Sequence, residues 1–390
     1  MKKRVIFITE ALWIGGIETA LVNLLNHMDY ERFDVTLLVT RASLEMSDQV
    51  NSNCRLIISD REQSNSFEKK YRYSRLYHLT EKSEHPSKLH RALMWLTPAL
   101  RWIENRLYIG YVRKNMRGEH FDTAVIYSDR TAEMAVKALR ADGYLMFYHN
   151  ADIGRAYHDT IGYRKSKRVV TVSKAQCEKL KKLIPAYAGK MITIHNYVDA
   201  EHILKMATKL DADPLFHEEG IHIVSCGRLA PQKGFDLAID ACSMLMEDGF
   251  TDLHWYILGN GTDNDTLSVL CREKGVEDHF HLVGAKQNPF PYMKAADLYI
   301  QPSRSEGYSL SILEARVLCC PIIATEAAAG EQLTDGVDGT LCAPEASCIY
   351  SAVKKHLKTP ELSQKYRSAL ARHSFDEENA QIIEEVEALL

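Results

Sequence analysis

Short β-rich runs alternate with helical stretches along most of this chain of 390 residues. Such alternation is typical of βαβ units, in which helices connect successive parallel strands. The predicted strands form two series separated by a polar gap: Val5–Thr9, Val35–Thr40, Leu56–Ile58, Thr123–Tyr127, Leu145–His149, Val169–Val172 and Ile192–Ile194, then Ile221–Ser225, Trp255–Leu258, His279–Val283, Leu298–Gln301 and Pro321–Thr325. The length suits two or three domains, so we predict two α/β domains, each with a doubly wound parallel sheet.

The polar gap, Asn196–Gly220, is helical in places and has no clear strand, so it is the predicted linker. The expected domains cover residues 1–198 and 199–373, and a C-terminal helix over 374–390 follows them. In open parallel sheets, ligands bind outside the carboxyl ends of the strands. We therefore expect the binding residues in loops that follow strands, where the two domains face a central cleft.

Composition excludes several classes of protein. The formal net charge is −4, which lacks the basic surface that nucleic-acid binding requires. The apolar start of the chain is interrupted by Thr9 and Glu10, so a buried first strand is predicted there and not a signal peptide. The nine cysteines include no C-x-x-C pair, which favours buried thiols of a reducing cytosol over disulfides or a metal site.

Residues 68–118 depart from the alternating pattern, with twelve Lys or Arg against four Asp or Glu. Apolar residues recur there at helical spacing from Leu89 to Leu107, and Trp95 and Trp102 lie seven residues apart. A basic amphipathic helix with tryptophans is typical of a surface that docks on an anionic membrane. The alternative is an insertion that packs its leucines on the N-terminal domain and leaves its charges in water.

Two strands of the first series lead into candidate binding residues. Gly15 and Gly16 precede an apolar helix, where free N–H groups and the helix dipole favour an anion. The spacing is not G-x-G-x-x-G, which argues against a nicotinamide dehydrogenase, and a turn without a ligand is the alternative. His149 ends another predicted strand, where an imidazole can donate to a substrate, act as acid or base, or serve the structure alone.

Charged residues follow two strands of the second series. Arg228 and Lys233 come after the first of them, and two such cations suit a diphosphate. Glu306 and Glu314 come after a later strand, and carboxylates accept hydrogen bonds from hydroxyl-rich ligands. The alternatives are solvated loop cations and, for Glu314, a capping box formed with Ser311.

Six motifs occur in order along the chain: Gly15-Gly16-x-Glu18, V-S-K at Val172–Lys174, I-x-N-x-V-D at Ile194–Asp199, G-R-L-x-P-Q-K-G at Gly227–Gly234, G-N-G at Gly259–Gly261 and E-G-Y-S-x-x-x-x-E at Glu306–Glu314. Together they resemble the retaining glycosyltransferases of family four, which have the GT-B fold. The resemblance covers about residues 5–341 and is most specific in the C-terminal half. Tyr197 stands where a glycine is usual, and Ala329-Gly330 replaces a glycine pair, which leaves the donor open.

The resemblance implies two Rossmann-like domains: an N-terminal acceptor domain over residues 1–198, and a C-terminal domain over residues 199–373 that provides most of the binding site for a nucleotide sugar in the cleft. It assigns Arg228 and Lys233 to the diphosphate. It places Glu314 at the ribose hydroxyls, Glu306 at the transferred sugar and His149 near the reacting centre. Further groups expected to line the donor are Gly15, Gly16, Gly259, Tyr308, Ser309 and Leu310. It also implies that the final helix packs back across the N-terminal domain. No cofactor or metal is expected, because the cations and helix dipoles would neutralise the diphosphate.

The resulting hypothesis is a retaining, metal-independent transferase. It would move a hexose or N-acetylhexosamine from a nucleotide diphosphate sugar, with UDP as the expected nucleotide, to a hydroxyl of a carbohydrate or lipid-linked acceptor. The expected process is cell-surface polysaccharide or glycolipid assembly, in the cytoplasm or at the inner face of the cell membrane. Two alternatives stay open: a nucleotide-sugar epimerase, which would need only the donor, and a non-catalytic partner subunit, which would not need all four charged residues.

Overall fold

A computed structural model describes residues 1–41, 44–59, 105–149, 160–209 and 220–390. The chain divides into two compact units. Unit 1 comprises Met1–Ile194 together with Glu385–Leu390, and unit 2 comprises His195–Glu384.

Unit 1 is built on a parallel sheet of seven strands: β1 (Lys3–Thr9), β2 (Phe33–Val39), β3 (Arg55–Ile58), β4 (Phe121–Ile126), β5 (Ala141–Tyr148), β6 (Arg168–Thr171) and β7 (Met191–Thr193). Their order in the sheet is β3-β2-β1-β4-β5-β6-β7. Its described helices are α1 (Gly16–His27), α2 (105–115), α3 (Ala132–Ala138), α4 (Thr160–Lys165) and α5 (Lys174–Leu183). The residues of β1 from Val5 to Thr9 are all buried, as expected for a parallel strand covered on both faces.

Unit 2 is built on a parallel sheet of six strands: β8 (Ile221–Cys226), β9 (Leu253–Leu258), β10 (Phe280–Leu282), β11 (Leu298–Gln301), β12 (Ile322–Thr325) and β13 (Thr340–Cys342). Their order is β10-β9-β8-β11-β12-β13. The described helices are α6 (Ala200–Met206), α7 (Phe235–Glu247), α8 (Asn264–Lys274), α9 (Phe290–Ala295), α10 (Leu310–Val317), α11 (Glu326–Ala329), α12 (Ala346–Lys358), α13 (Pro360–Leu370) and α14 (Phe375–Leu389), the last of which ends in unit 1.

The predicted fold class is confirmed, since every predicted strand has a counterpart in one of the two parallel sheets. The sequence analysis missed β13, an edge strand of three half-buried residues that pairs with β12. So short a strand shows no recognisable periodicity. The predicted linker, Asn196–Gly220, contains α6, and its residues 210–219 lie outside the described ones.

The basic segment 68–118 is described only from residue 105 onward, so Trp95, Trp102 and most of the leucine stripe lie outside the described residues. In the described part, Tyr108, Val112 and Met116 are buried in the core of unit 1. Leu107, the last residue of the predicted stripe, is 45% exposed. The buried face of α2 is therefore a different one from the leucine face. Within the described ranges, no helix is long and apolar enough to span a bilayer.

The last turns of α14 are fastened to unit 1 by polar contacts. The buried Glu387 carboxylate accepts from the backbone N–H of Asp29 at 2.8 Å and pairs with Arg32 at 2.7 Å. The Thr123 hydroxyl donates to the carbonyl of Leu390 at 3.0 Å. These contacts explain why the final residues belong to the same compact unit as β1 and β4.

Replacing Glu387 by alanine is expected to destabilise unit 1 by about 1–3 kcal/mol, because it leaves a partly buried N–H group and a guanidinium without their acceptor. Urea denaturation followed by circular dichroism measures this change. The control is Glu384→Ala, an exposed position of the same helix, which is expected to change stability by less than about 0.5 kcal/mol. Equal losses of stability in the two variants would show that the contacts of Glu387 with Asp29 and Arg32 do not stabilise unit 1.

Candidate functional site

The predicted binding loops of unit 2 meet at the point where its strand order reverses. From β8 the chain continues to β9 and β10 on one side of the sheet, and β11 pairs with β8 on the other side. The loops after β8 and β11 therefore open a crevice at the carboxyl ends of two adjacent strands, which is where open α/β sheets bind ligands.

Close backbone contacts shape the first of these loops. Gly259, which follows β9, lies so near the loop that a Cβ atom there would come within 1.8 Å of the Gly227 carbonyl oxygen. A Cβ at Gly234, which has a left-handed φ of 69°, would come within 2.2 Å of the Pro302 carbonyl oxygen. Packing alone thus requires glycine at 259, and the predicted contact of Gly259 with a nucleotide stays a prediction.

Arg304, which the sequence analysis did not single out, ties the two loops together. Its backbone N–H donates to the carbonyl of Gln232 at 2.8 Å, and its guanidinium donates to the carbonyl of Pro231. The same guanidinium makes two hydrogen bonds to the carboxylate of Asp236 in the first turn of α7. These bonds fix the short turn that carries Lys233.

Lys233 and Glu306, predicted to serve one ligand, form an ion pair. Lys233 Nζ lies 2.6 Å from Glu306 Oε1, and the two side chains are only 18% and 11% exposed. The same oxygen accepts from the hydroxyl of Ser303 at 2.6 Å. An ammonium group has three donor hydrogens, so Lys233 keeps two for a ligand.

A buried chain of hydrogen bonds that runs from Gln301 through Ser303 holds Glu306 in place. Gln301 Nε2 donates to Ser303 Oγ at 2.8 Å, and Gln301 Oε1 accepts from Tyr299 at 2.6 Å. Gln301 and Ser303 are fully buried. The sequence signal for this support was a glutamine at the end of the otherwise apolar strand β11, and the sequence analysis passed over it.

Glu314 lies on α10, one helix beyond the loop that carries Glu306. The capping-box alternative is wrong, because α10 begins at Leu310 with Ser309 as its N-cap, and the Ser311 hydroxyl instead donates to Gln301 Oε1 at 3.2 Å. Burial raises the pKa of Glu314 to about 7, and the positive charge of Lys233 opposes part of that rise. Its carboxyl group therefore changes charge near neutral pH.

The residues that open α10 are held rigidly. Tyr308 is buried and stacks on the ring of His195, with centroids 4.4 Å apart. Burial, and then the carboxylate of Glu378, raise the pKa of Tyr308 above its usual range. The backbone N–H of Ser309 donates to Gln332 Oε1 at 3.0 Å, so one of the N–H groups expected to face a ligand already has a protein acceptor. Leu310 begins the helix and is buried.

The remaining predicted residues differ in their surroundings. Arg228 follows Gly227 and is exposed. Gly15 is the N-cap of α1, and Gly16 is its exposed first residue. A Cβ at Gly15 would lie 2.7 Å from Oε2 of the buried Glu18, so a protein carboxylate already lies beside this helix N-terminus.

His149 of unit 1 belongs to an aromatic cluster at the end of β5. Its ring centroid lies 4.5 Å from that of Tyr127 and 5.9 Å from that of Phe147. Burial lowers the pKa of His149 to about 3. The imidazole is therefore neutral at pH 7 and offers one donor and one acceptor nitrogen.

The described residues contain no group of three or more His, Cys, Asp or Glu side chains arranged to hold a metal ion. All nine cysteines are free thiols, and six of them are buried. The groups of the unit 2 crevice that can bind or polarise a ligand are therefore its charged side chains.

Solved structures identify the class of fold. HepE of Anabaena, solved in complex with UDP-glucose, superposes with a TM-score of 0.73 at 16% identity and covers 99% of each chain. Together with the two parallel-sheet units, this likeness shows that the chain has the GT-B fold.

The sequence comparisons show what the chain is similar to. Residues 206–373 match the profile of glycosyl transferases group 1. One relative is the Campylobacter jejuni N-acetylgalactosamine-N,N'-diacetylbacillosaminyl-diphospho-undecaprenol 4-alpha-N-acetylgalactosaminyltransferase, 27% identical over 53% of this chain and 55% of its own. Another is the Escherichia coli O-antigen biosynthesis glycosyltransferase WclY, which is 26% identical over 39% of this chain and 42% of its own length. The chain thus spans about half the length of these curated relatives, and the resemblance to a glycosyltransferase family is confirmed.

Proposed function

We propose that this protein is a retaining glycosyltransferase that moves a hexose or N-acetylhexosamine from a UDP-sugar to a hydroxyl acceptor. The observation that carries the proposal is the Lys233–Glu306 ion pair at the crevice of unit 2, with Glu314 nearby on α10. A cation and two carboxylates at the carboxyl ends of parallel strands suit a ligand that combines phosphates with hydroxyls. The UDP-glucose complex of HepE supports this choice of ligand.

The proposed reaction assigns a task to each charged group. The bond between the anomeric carbon and the diphosphate oxygen breaks, and the acceptor oxygen bonds to the same face of that carbon. The acceptor proton passes to the leaving diphosphate, whose growing negative charge is stabilised by Lys233 and Arg228. Glu306 orients the transferred sugar, and neutral His149 donates or accepts one hydrogen bond near the reacting centre. No metal or cofactor is part of this proposal.

A panel of nucleotide sugars tests the proposal. The purified protein is incubated with UDP-, GDP- and ADP-linked hexoses and N-acetylhexosamines without an acceptor, and the nucleotide diphosphate and sugar products are analysed. We expect slow release of UDP together with a free sugar that keeps its anomeric configuration. Release of an epimerised sugar would favour the epimerase instead, and no binding of any nucleotide sugar would favour a non-catalytic subunit.

The affinity for UDP is expected to rise about tenfold between pH 6 and pH 8 through Glu314. Below its pKa of about 7 the carboxyl is neutral, and above it the ionised carboxylate is the stronger acceptor for ribose hydroxyls. The measurement is calorimetric titration of wild type and Glu314→Gln across this range. The phosphate of UDP also changes its protonation in this range, and that effect cancels in the ratio of the wild-type affinity to the Glu314→Gln affinity. A constant ratio would contradict the assignment of Glu314 to the ribose.

We further propose that the acceptor is carried on a lipid and that the protein works at the cytoplasmic face of a membrane, in polysaccharide or glycolipid assembly. Support comes from the undecaprenol-linked substrate in the name of the Campylobacter relative and the O-antigen role in that of WclY. The excess of basic residues in segment 68–118 adds to it, since each Lys or Arg near an anionic surface contributes about 1 kcal/mol.

Vesicle sedimentation is expected to show binding that needs anionic lipid and weakens with salt, because charges are screened beyond about 8 Å at physiological ionic strength. Replacing Trp95 and Trp102 by alanine, together with neutralising the lysines of the segment, is expected to abolish it. Binding that survives these changes, or that is absent at low salt, would exclude this segment as the contact and leave the transferase proposal intact.

A further inference from the structure

The amide group of Gln301, at the carboxyl end of strand β11, is fully buried and uses all of its hydrogen-bonding positions. Its oxygen accepts from the hydroxyls of Tyr299 at 2.6 Å and Ser311 at 3.2 Å. Its nitrogen donates to Ser303 Oγ at 2.8 Å and lies 3.5 Å from Glu306 Oε1. One side chain thus connects the loop that carries Glu306 with the first turn of α10.

The neighbours of this amide fix the direction of its hydrogen bonds. A carboxylate oxygen only accepts, so the amide nitrogen, and not the amide oxygen, is the atom that lies beside Glu306. On the other side, burial raises the pKa of Tyr299 well above its ordinary value, so its hydroxyl keeps its proton and donates to the amide oxygen. The Ser303 hydroxyl therefore accepts from Gln301 and gives its only hydrogen to Glu306 Oε1, at 2.6 Å.

This direction of the hydrogen bonds distinguishes the two oxygens of Glu306. Oε1 receives the Ser303 hydroxyl and the Lys233 ammonium, each at 2.6 Å, and these two donors fill both of its acceptor positions. Among the residues that the structure describes, none donates to Oε2. The carboxylate therefore leaves one oxygen for a ligand, and the bonds to the other oxygen determine its orientation.

We propose that Gln301 is a positioning residue for sugar transfer, which acts through Ser303 on Oε1 of Glu306 and so presents Oε2 to the transferred sugar in one orientation. This inference rests on the proposed transferase function, in which Glu306 orients that sugar. Misplacement of a reacting group by about 1 Å can lower a rate about a hundredfold, so the orientation of the carboxylate matters for the rate. The bond from Ser311 to the same amide also keeps α10, which carries Glu314, in a fixed relation to Glu306.

The test compares Gln301→Met with the wild type in the cleavage of UDP-glucose, UDP-galactose and the two corresponding UDP-N-acetylhexosamines, without an acceptor. Methionine is an unbranched side chain that fills the space and cannot make the hydrogen bonds of an amide. For the sugar that the wild type cleaves fastest, we expect kcat to fall about tenfold and KM to change by less than about twofold. In the Glu306→Gln background, the same substitution is expected to lower kcat by less than about twofold, because the carboxylate that it positions is gone.

Two more variants separate this effect from a loss of folding. Ser303→Ala removes only the intermediate hydroxyl, and its effect on kcat is expected to depend on Glu306 in the same way. The matched control is Gln176→Met, since Gln176 is also buried and its amide oxygen accepts from the backbone N–H of Val172 at 3.1 Å in unit 1. This control is expected to leave kcat unchanged. The affinity for UDP, measured by calorimetry on the same samples, is expected to stay within about twofold of the wild type in the Gln301 and Ser303 variants.

Equal losses of kcat in the wild-type and Glu306→Gln backgrounds would overturn the proposal, because they would show that Gln301 serves the fold and does not act through Glu306. Near-normal kcat of both Gln301→Met and Ser303→Ala would overturn it as well. If Gln301→Met fails to fold or to bind UDP, the same comparison with Ser303→Ala decides the question. A wild type that cleaves none of the four UDP-sugars would contradict the transferase, and this inference would fall with it, whereas the other failures leave the transferase intact.

Discussion

Replacing Lys233 by alanine is expected to lower kcat/KM for the nucleotide-sugar donor by about thirtyfold to a thousandfold, or about 2–4 kcal/mol. The substitution removes a positive charge from a site that is shielded from water, and it leaves Glu306 without the cation 2.6 Å away. Both changes raise the energy of a transition state in which negative charge grows on the leaving diphosphate. Steady-state kinetics with varied donor concentration measure the loss.

Two further variants show whether the charge itself is responsible. Lys274→Ala removes an exposed ion pair with Asp240 in the same unit and is expected to leave kcat/KM unchanged. Lys233→Ala combined with Glu306→Gln removes the unpaired carboxylate, so the loss of this double variant relative to Glu306→Gln alone belongs to the missing cation. Near-normal kinetics of Lys233→Ala would show that this lysine does not bind the diphosphate.

Glu306→Gln is expected to lower kcat by about tenfold to a hundredfold with little change in the KM of the donor. The glutamine keeps the shape of the side chain and loses a charge-assisted hydrogen bond of about 1.5–3 kcal/mol to the sugar that moves. Glu314→Gln is expected to do the reverse and mainly raise KM, because its assigned contact is with the ribose, which does not change during the reaction. Glu361→Gln, at an exposed position of α13, is the control. Small and equal effects of both substitutions would show that neither carboxylate contacts the donor.

Most of the fold was predictable because its signals are local. The strands of a parallel sheet are short apolar runs bounded by polar loops, and β1, β8 and β11 show this pattern in a single stretch of sequence. The edge strand β13 was missed because three half-buried residues carry no such pattern. In the basic segment, the spacing of Leu107 suggested one buried face of α2, but Val112 and Met116 pack against the core instead. Helical spacing identifies possible faces, and only the neighbouring elements determine which of them is covered.

Some residues of the candidate site were predictable from the sequence, and others were not. Placement of charged residues after strands indicated Arg228, Lys233, Glu306 and Glu314, because the carboxyl ends of parallel strands meet at one edge of a sheet. The supporting residues Gln301 and Ser303 were not predicted: the glutamine that ends the buried strand β11 was a usable signal that was passed over, whereas Ser303 looks like an ordinary loop serine in the sequence.

The sequence by itself determined that the chain forms two parallel sheets, which loops carry its charged groups, and to which family these loops are similar. Only the tertiary structure decided which charges meet. Lys233 and Glu306 are 73 residues apart, Glu10 and Arg130 are 120 apart, and their contacts depend on the order of the strands in each sheet. The protonation of Glu314 was decided there as well, because a pKa of about 7 arises from the atoms packed around the carboxyl group. Periodicity and turn chemistry act over a few residues, whereas ion pairing and desolvation act between elements that only folding brings together.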